Sequence, residues 1–232
     1  MYTDPYPAAV TASDRVHGEL KHRLLLGEFP INTRLAEERL GAQMGTSRTP
    51  VREALHRLHT EGLVRRAPGG GYEPVVFDVA AMRYLYEIRG GLELQALSRP
   101  GRTGTSHDLD AVARLRDEWV ALRVDPGEAT PAFVLLDETF HVALCEAAGN
   151  PPLAELLRQV NERIRIVRMQ DFLTEERITV TIDEHVGIAE AVLSGDLAEA
   201  ERRFALHLDA SVAVVEERVA RAIARMMKGA GR

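Results

Sequence analysis

Residues 46–58 read TSRTPVREALHRL, and two patterns superimposed on that stretch decide how the first third of the chain folds. Val51, Ala54, Leu55 and Leu58 fall at i, i+3, i+4 and i+7, a continuous apolar stripe along one helix that has to pack against something. Arg48 and Arg52 are four residues apart and share a face roughly opposite the stripe's centre. Ser47 or Thr49 is placed to cap the start, and Pro50 is tolerated in a first turn whose N–H needs no helical partner. The N-terminal end of this helix therefore presents two guanidinium groups, hydroxyls and unpaired backbone N–H groups. A phosphate or a guanine edge is the matching chemistry: arginine binds guanine O6 and N7 together, for ~1–3 kcal/mol of discrimination, and helix N-termini attract phosphate. Taken alone, the same arginines also fit a solvated face paired with Glu53 and neighbouring acids.

The flanks favour the first reading. Upstream, SDRVHGELKHRLLLGEF carries Val16, Leu20, Leu24 and Leu25 near helical spacing behind a cap at Ser13, and Gly27 and Pro30 stop it. TRLAEERLGAQMG supplies Leu35, Leu40 and Met44, a cap at Thr33 and a terminating Gly45. Downstream, LVRRAPGGGYEPVVF reads as two short strands around a glycine-rich turn, with Arg65 and Arg66 on the first. Three short helices followed by a hairpin are the ground plan of a winged helix-turn-helix, with the two arginines where a wing would meet DNA.

Charge agrees with that division. The 232-residue chain has a net charge of −6, which argues against a polyanionic partner for the whole. Residues 1–77, however, hold ten Lys/Arg against nine Asp/Glu, whereas 78–232 hold nineteen against twenty-six. The acidity belongs to the second part, and clustering rather than overall pI governs attraction to a phosphate backbone. With 45% apolar and 28% charged residues, a packed core is expected and wholesale disorder is not. The single cysteine, Cys145, excludes an internal disulfide framework. No window reaches eighteen apolar residues and MYTDPYPAAVTASD has no signal-peptide pattern, so a cytoplasmic protein without a membrane segment is expected.

Beyond residue 78 the periodicity is helical almost throughout, over roughly 78–98, 107–123, 128–148, 152–173, 175–194 and 196–227. The breakers PGRTG, DPG, GNPP and SGD are short, as between antiparallel neighbours of a bundle. The expected organisation is a flexible segment over 1–12, a winged helix-turn-helix over 13–77, an all-α antiparallel helical bundle over 78–227, and a fraying tail over 228–232. Pro100 and Gly101 predict an early end to the first bundle helix and an exposed loop. Histidines are the informative residues here. In LLDETFHVALCEAAGN, Asp137 and His141 share a largely apolar helical face; His185 in TIDEHVGIAEAVL and His207 in AERRFALHLDASVAVV also lie among apolar neighbours. A buried carboxylate and three buried imidazoles need a compensating partner, which a divalent cation supplies. Histidine serves many other roles, so spacing alone leaves this open.

Two resemblances cover nearly all of residues 13–226. LAEERLGAQMGTSRTPVREALHRLHTEGL, and SRTPVREAL above all, resembles the DNA-binding domain of the GntR family of bacterial transcription factors. It implies that Arg48 and Arg52 contact operator bases and phosphates with help from Ser47 and Thr49, and that Gly70 and Gly71 let the wing, with Arg65 and Arg66, approach the minor groove. Many relatives carry an arginine where this chain has Glu38, so Arg39 either substitutes for it or one backbone contact is missing. DETFH, then DEH, then FALHL, together with YEIRGGLE and GNPPL, resembles the FCD ligand-binding domain of the FadR subfamily. That likeness implies a metal held by Asp137, His141, His185 and His207: zinc first, with nickel, manganese or iron as alternatives. His107 has no counterpart in the set and is read as a surface residue.

The resemblances together imply a homodimeric regulator of transcription, a repressor, whose affinity for double-stranded operator DNA responds to a small organic acid bound beside the metal. Arg89 is the first candidate to hold that acid, with Arg163 and Arg165 as alternatives. The rival of another class is a metal-dependent hydrolase or lyase using Glu138 or Glu184 as base, although helix neighbours point about 100° away from the ligands they adjoin. A further alternative keeps DNA binding and makes the metal structural, or itself the signal.

Overall fold

The computed structural model describes residues 11–126 and 129–229. Most of the segment expected to be flexible at the N-terminus, Gly127 of the DPG break and the last three residues of the expected tail lie outside them. The chain divides into two compact units. One gathers the described residues up to Phe77 and those from Ala220 onward; the other is Asp78–Val219.

The first unit contains α1 (Ala12–Leu25), α2 (Glu37–Gln43), α3 (Arg48–Thr60), β1 (Val64–Arg66) and β2 (Tyr72–Pro74). Helix α1 starts earlier than Ser13 because Thr11 and Asp14 close a reciprocal capping box. Helix α2 starts later than Thr33 allows, behind Ala36, which offers no side-chain cap. The stripe Val51, Ala54, Leu55 and Leu58 is fully buried, as are Leu20 and Leu25 of α1 and Leu40 of α2, the two helices that pack on α3. The strands are antiparallel, pairing Val64 with Pro74, Arg65 with Glu73 and Arg66 with Tyr72. The Leu35 N–H donates to the Tyr72 carbonyl at 2.8 Å, tying the approach to α2 to the wing.

The second unit contains α4 (Val79–Thr103), α5 (Leu109–Leu122), α6 (Phe133–Ala147), α7 (Pro151–Arg168), a 3₁₀ turn Met169–Phe172, α8 (Glu175–Leu193) and most of α9 (Leu197–Gly229). Helix α5 packs on α8, α4 and α6 on α7, and α5 on α6. Trp119 anchors the aromatic centre, edge-on to Phe133 and Phe140.

Two expectations are corrected. Helix α4 does not stop before Pro100; it runs on to Thr103 and ends at Gly104, whose φ of 70° is the left-handed cap position. Proline at 100 leaves the Ala96 carbonyl without its helical donor. His107 supplies one: its ring hydrogen-bonds the Ala96 backbone. His107 is therefore buried, 6% exposed, rather than on the surface. Over its described part the terminal ARMMKGAGR is helical. Met226 is buried, its carbonyl accepts from the Ile31 N–H at 3.3 Å, and α9 continues to Gly229.

Candidate functional site

On the first unit, Ser47, Arg48, Thr49 and Arg52 are all exposed at the start of α3. Ser47 occupies the N-cap position without making a side-chain cap bond. Both arginines meet acids from the first turn of α2. Arg52 donates through Nε and NH2 to both oxygens of Glu37, at 2.9–3.1 Å; this fork lowers the Glu37 pKa. Arg48 NH2 lies 2.7 Å from Glu38. The third arginine of the helix, Arg57, turns away to Asp14 of α1 at 2.7 Å.

The wing stands beside this end of α3, since Arg48 and Gly71 line the same groove of about 470 Å³. Gly69, Gly70 and Gly71 all have positive φ. A Cβ on Gly71 would also sit 2.9 Å from Arg34 Nε, so any other residue would strain the backbone there and push that guanidinium aside. Arg65 pairs with Glu73 at 2.8 Å, and Arg66 lies over the Tyr72 ring. Arg39 turns toward the Arg34 carbonyl, 3.5 Å away. Sequence reasoning misses Arg34 itself, because it belongs to no periodic stripe.

In the second unit, Asp137 and His141 on α6, His185 on α8 and His207 on α9 converge. All four are buried, and one donor atom from each lies within 4.8 Å of the others. The Asp137 Oδ1 is 3.6 Å from His141 Nε2 and 3.4 Å from His185 Nε2, longer than good hydrogen bonds. Donors about 2.0–2.2 Å from one tetrahedral ion lie about 3.3–3.6 Å apart, so the set has to draw in by about an ångström to fit one.

The surroundings orient these donors. His141 Nδ1 is 2.5 Å from Glu93 and His207 Nδ1 is 2.8 Å from Glu184, which leaves each Nε2 facing inward. His185 is held by stacking instead: its ring lies parallel to Phe140 with centroids 3.9 Å apart, and Trp119 meets it edge-on. His141 Nε2 and both His185 nitrogens are buried without a hydrogen-bond partner. Neutral imidazole nitrogens in this condition are what a divalent cation requires.

Electrostatics favour the ligating form of Asp137, His185 and His207. Burial lowers the His185 pKa well below the usual imidazole range, helped by His207, and burial lowers that of His207 too. Burial would raise Asp137, but Arg168 and His141 outweigh it and hold the carboxyl well below its ordinary value. Glu93 is pulled down to about 2, because His141 and Arg89 outweigh its burial.

Arg89 is also buried, donating through Nε to Glu93 at 2.8 Å, with its NH2 unpartnered. Arg165 is committed to Glu138, with contacts of 2.8–3.1 Å, and Arg163 is exposed. Arg168 stands at the site instead, joined to Asp137, Glu138 and Asn161. Glu138 and Glu184 thus hold arginines and a histidine and are not free bases. Glu93, Glu184 and Arg168 escape sequence reasoning in these roles, since each meets its partner across helices.

Comparison with known proteins gives the frame. Residues 12–73 match the model of "Bacterial regulatory proteins, gntR family" and residues 84–210 match the FCD domain. The chain is 36% identical over 145 residues to the Nta operon transcriptional regulator of Aminobacter aminovorans, covering 62% of this chain and 67% of that protein. It is 27% identical over 151 residues to the transcriptional regulator McbR of Escherichia coli, covering 65% and 67%. Among solved structures, that of E. coli McbR/YncC superposes with a TM-score of 0.52 at 23% identity, over 90% of this chain and 99% of that one. The Listeria monocytogenes protein Lar superposes with a TM-score of 0.58 at 19% identity, over 92% and 99%. These families and relatives are regulators of transcription, and none is an enzyme. The chain belongs to the GntR family of DNA-binding transcriptional regulators, in the FadR subfamily whose second domain is an FCD domain.

Proposed function

We propose that this regulator is a cytoplasmic homodimeric repressor whose affinity for operator DNA is set by a small carboxylate bound beside a divalent metal. Arg48 and Arg52 read base edges and phosphates, Ser47 and Thr49 contribute hydroxyls at the helix start, and Arg39, Arg65, Arg66, Gly70 and Gly71 serve the flanking backbone and minor groove. Two copies are required because one recognition helix reads only a few base pairs. Asp137, His141, His185 and His207 hold the metal, zinc being the first choice for three imidazoles and one carboxylate. When bound, the metal supplies Lewis-acid attraction for an anionic oxygen, and Arg89 holds the acid's second polar group.

The observation that carries this reading is the convergence of Asp137, His141, His185 and His207 within 4.8 Å of one another, with His141 Nε2, the His185 nitrogens and, on the Glu93 side, Arg89 NH2 buried without partners. A buried cation and a buried anion together satisfy them. Coupling of ~1–3 kcal/mol between acid and DNA would change operator affinity 5- to 150-fold. The test is fluorescence anisotropy on labelled DNA from upstream of the protein's own gene, across a salt series, with scrambled competitor and a panel of small carboxylates. Selective binding weakened by one acid is the expected result. Selective binding indifferent to every acid would discard the carboxylate and leave the metal as the signal.

A further inference from the structure

The two arginines at the start of α3 are held by acids in different ways. Glu37 is locked: both its oxygens are engaged by the Arg52 fork, and its side chain is 30% exposed. Glu38 touches Arg48 by a single contact of 2.7 Å, and the two side chains are 78% and 61% exposed. Glu38 also lines the groove that Arg34, Arg48 and Gly71 share. It therefore places a negative charge among the cations that a DNA backbone would meet.

We propose that Glu38 is a specificity-determining residue: it withholds Arg48 from phosphates and leaves it available to a base edge. Phosphate, carboxylate and guanine edge offer the guanidinium different things. Sequence-independent affinity grows with the number of phosphates neutralised. An acid paired with Arg48 subtracts one such charge from every sequence alike. A single exposed ion pair is weak, whereas a guanine edge presents two acceptors in the geometry of the arginine fork. Only a site with that edge in register displaces the Glu38 carboxylate at a net gain. Arg52 needs no such release, because the Glu37 fork leaves its NH1 free of that acid and fixes its direction. The inference rests on the DNA-reading role of α3.

Both acids also lie in the first turn of α2, which lacks a side-chain cap, so a helix-dipole role has to be separated. The experiment uses the full chain as wild type, Glu38→Gln and Glu37→Gln. Each is titrated by anisotropy against the duplex that the wild type enriches from a randomised library and against a scrambled duplex of equal composition, over a salt series, with Tm measured in parallel.

Glu38→Gln is expected to bind the scrambled duplex about fivefold more tightly per head at 0.15 M salt, with the salt slope steeper by about 0.9 per head. Its enriched-to-scrambled ratio falls, and Tm stays within a degree. Glu37→Gln is expected to lose affinity for the enriched duplex, because Arg52 loses its support. An unchanged ratio in Glu38→Gln overturns the proposal, and a lowered Tm with that unchanged ratio makes Glu38 a helix-terminus residue only. A ratio that falls only because the enriched duplex is bound more weakly, with scrambled binding and salt slope unchanged, overturns it in favour of a direct base contact by Glu38. A library that enriches no sequence overturns the DNA-reading role of α3 and this proposal with it.

Discussion

At the scale of single residues, the metal set depends on side chains that would never touch the ion. His141 has Glu93 on its Nδ1 and His207 has Glu184, so two tautomers and two ring orientations are fixed by carboxylates. Loss of such a partner lowers metal affinity by about 10- to 100-fold. Glu93→Gln is therefore expected to weaken zinc binding in a competition titration by that factor, and His141→Ala to abolish the tight site. Equal affinity in Glu93→Gln and wild type would remove the carboxylate from the metal's support. The convergence of the four candidate ligands is what the sequence makes legible. A histidine four residues after an aspartate on an apolar helix has few ways to be satisfied, and the FCD likeness supplies the order of the rest. Their supports are not legible, since Glu93 precedes His141 by 48 positions and no spacing rule joins them. Arg168 is hidden for a related reason: NERIRIVRM offers other arginines on neighbouring turns, and only packing reveals which one faces Asp137.

At the scale of elements, α3 and the wing are readable because local pattern and tertiary demand agree: the stripe that predicts the helix is the stripe that is buried. Helix α4 misleads because they disagree. Pro100 is a local stop signal, yet a side chain outside the helix replaces the missing donor at Ala96. This makes the two positions energetically coupled. Removing the His107 ring, as in His107→Leu, strands a buried carbonyl and is expected to cost roughly 1–3 kcal/mol. In a Pro100→Ala background the backbone N–H restored at position 100 can reach the Ala96 carbonyl, so the same substitution should cost about 1 kcal/mol less. Additive losses in denaturant titrations of this double-mutant cycle would refute the replacement. The pH dependence has a definite sign. Burial lowers the His107 pKa below the unfolded value of 6.5, only partly offset by the Ala96 bond. The neutral ring thus stabilises the fold above pH 6.5, and that contribution is lost as pH falls through the folded pKa. The stability gap between wild type and His107→Leu should narrow on acidification from about pH 7.5 to about 5.5. A gap that widens would mean the ring is charged in the fold.

At the scale of the whole molecule, the two units carry different chemistry in one chain. The positive groups at the start of α3 are exposed and held by surface ion pairs, each worth little. The proposed cation site of the second unit lies among buried donors, three of whose nitrogens have no protein partner. A ligand that binds only the folded state stabilises it by RT ln(1 + [L]/Kd), about 2.7 kcal/mol at a hundredfold excess over Kd. For a chain of this size each kcal/mol moves Tm by roughly 2–4 °C. Saturating zinc should therefore raise the melting temperature of the second unit by roughly 5–10 °C over chelated protein, and Asp137→Asn should remove most of that difference. The DNA-binding unit contains none of the four ligands, so its own unfolding, followed through Tyr72 in the wing, should be indifferent to the metal. Calorimetry with and without chelator decides between the roles left for the ion. A large shift with operator affinity unchanged makes the metal a structural part of the FCD domain. A small shift with altered operator affinity makes it the signal, and no shift in either measurement would dissolve the metal centre altogether.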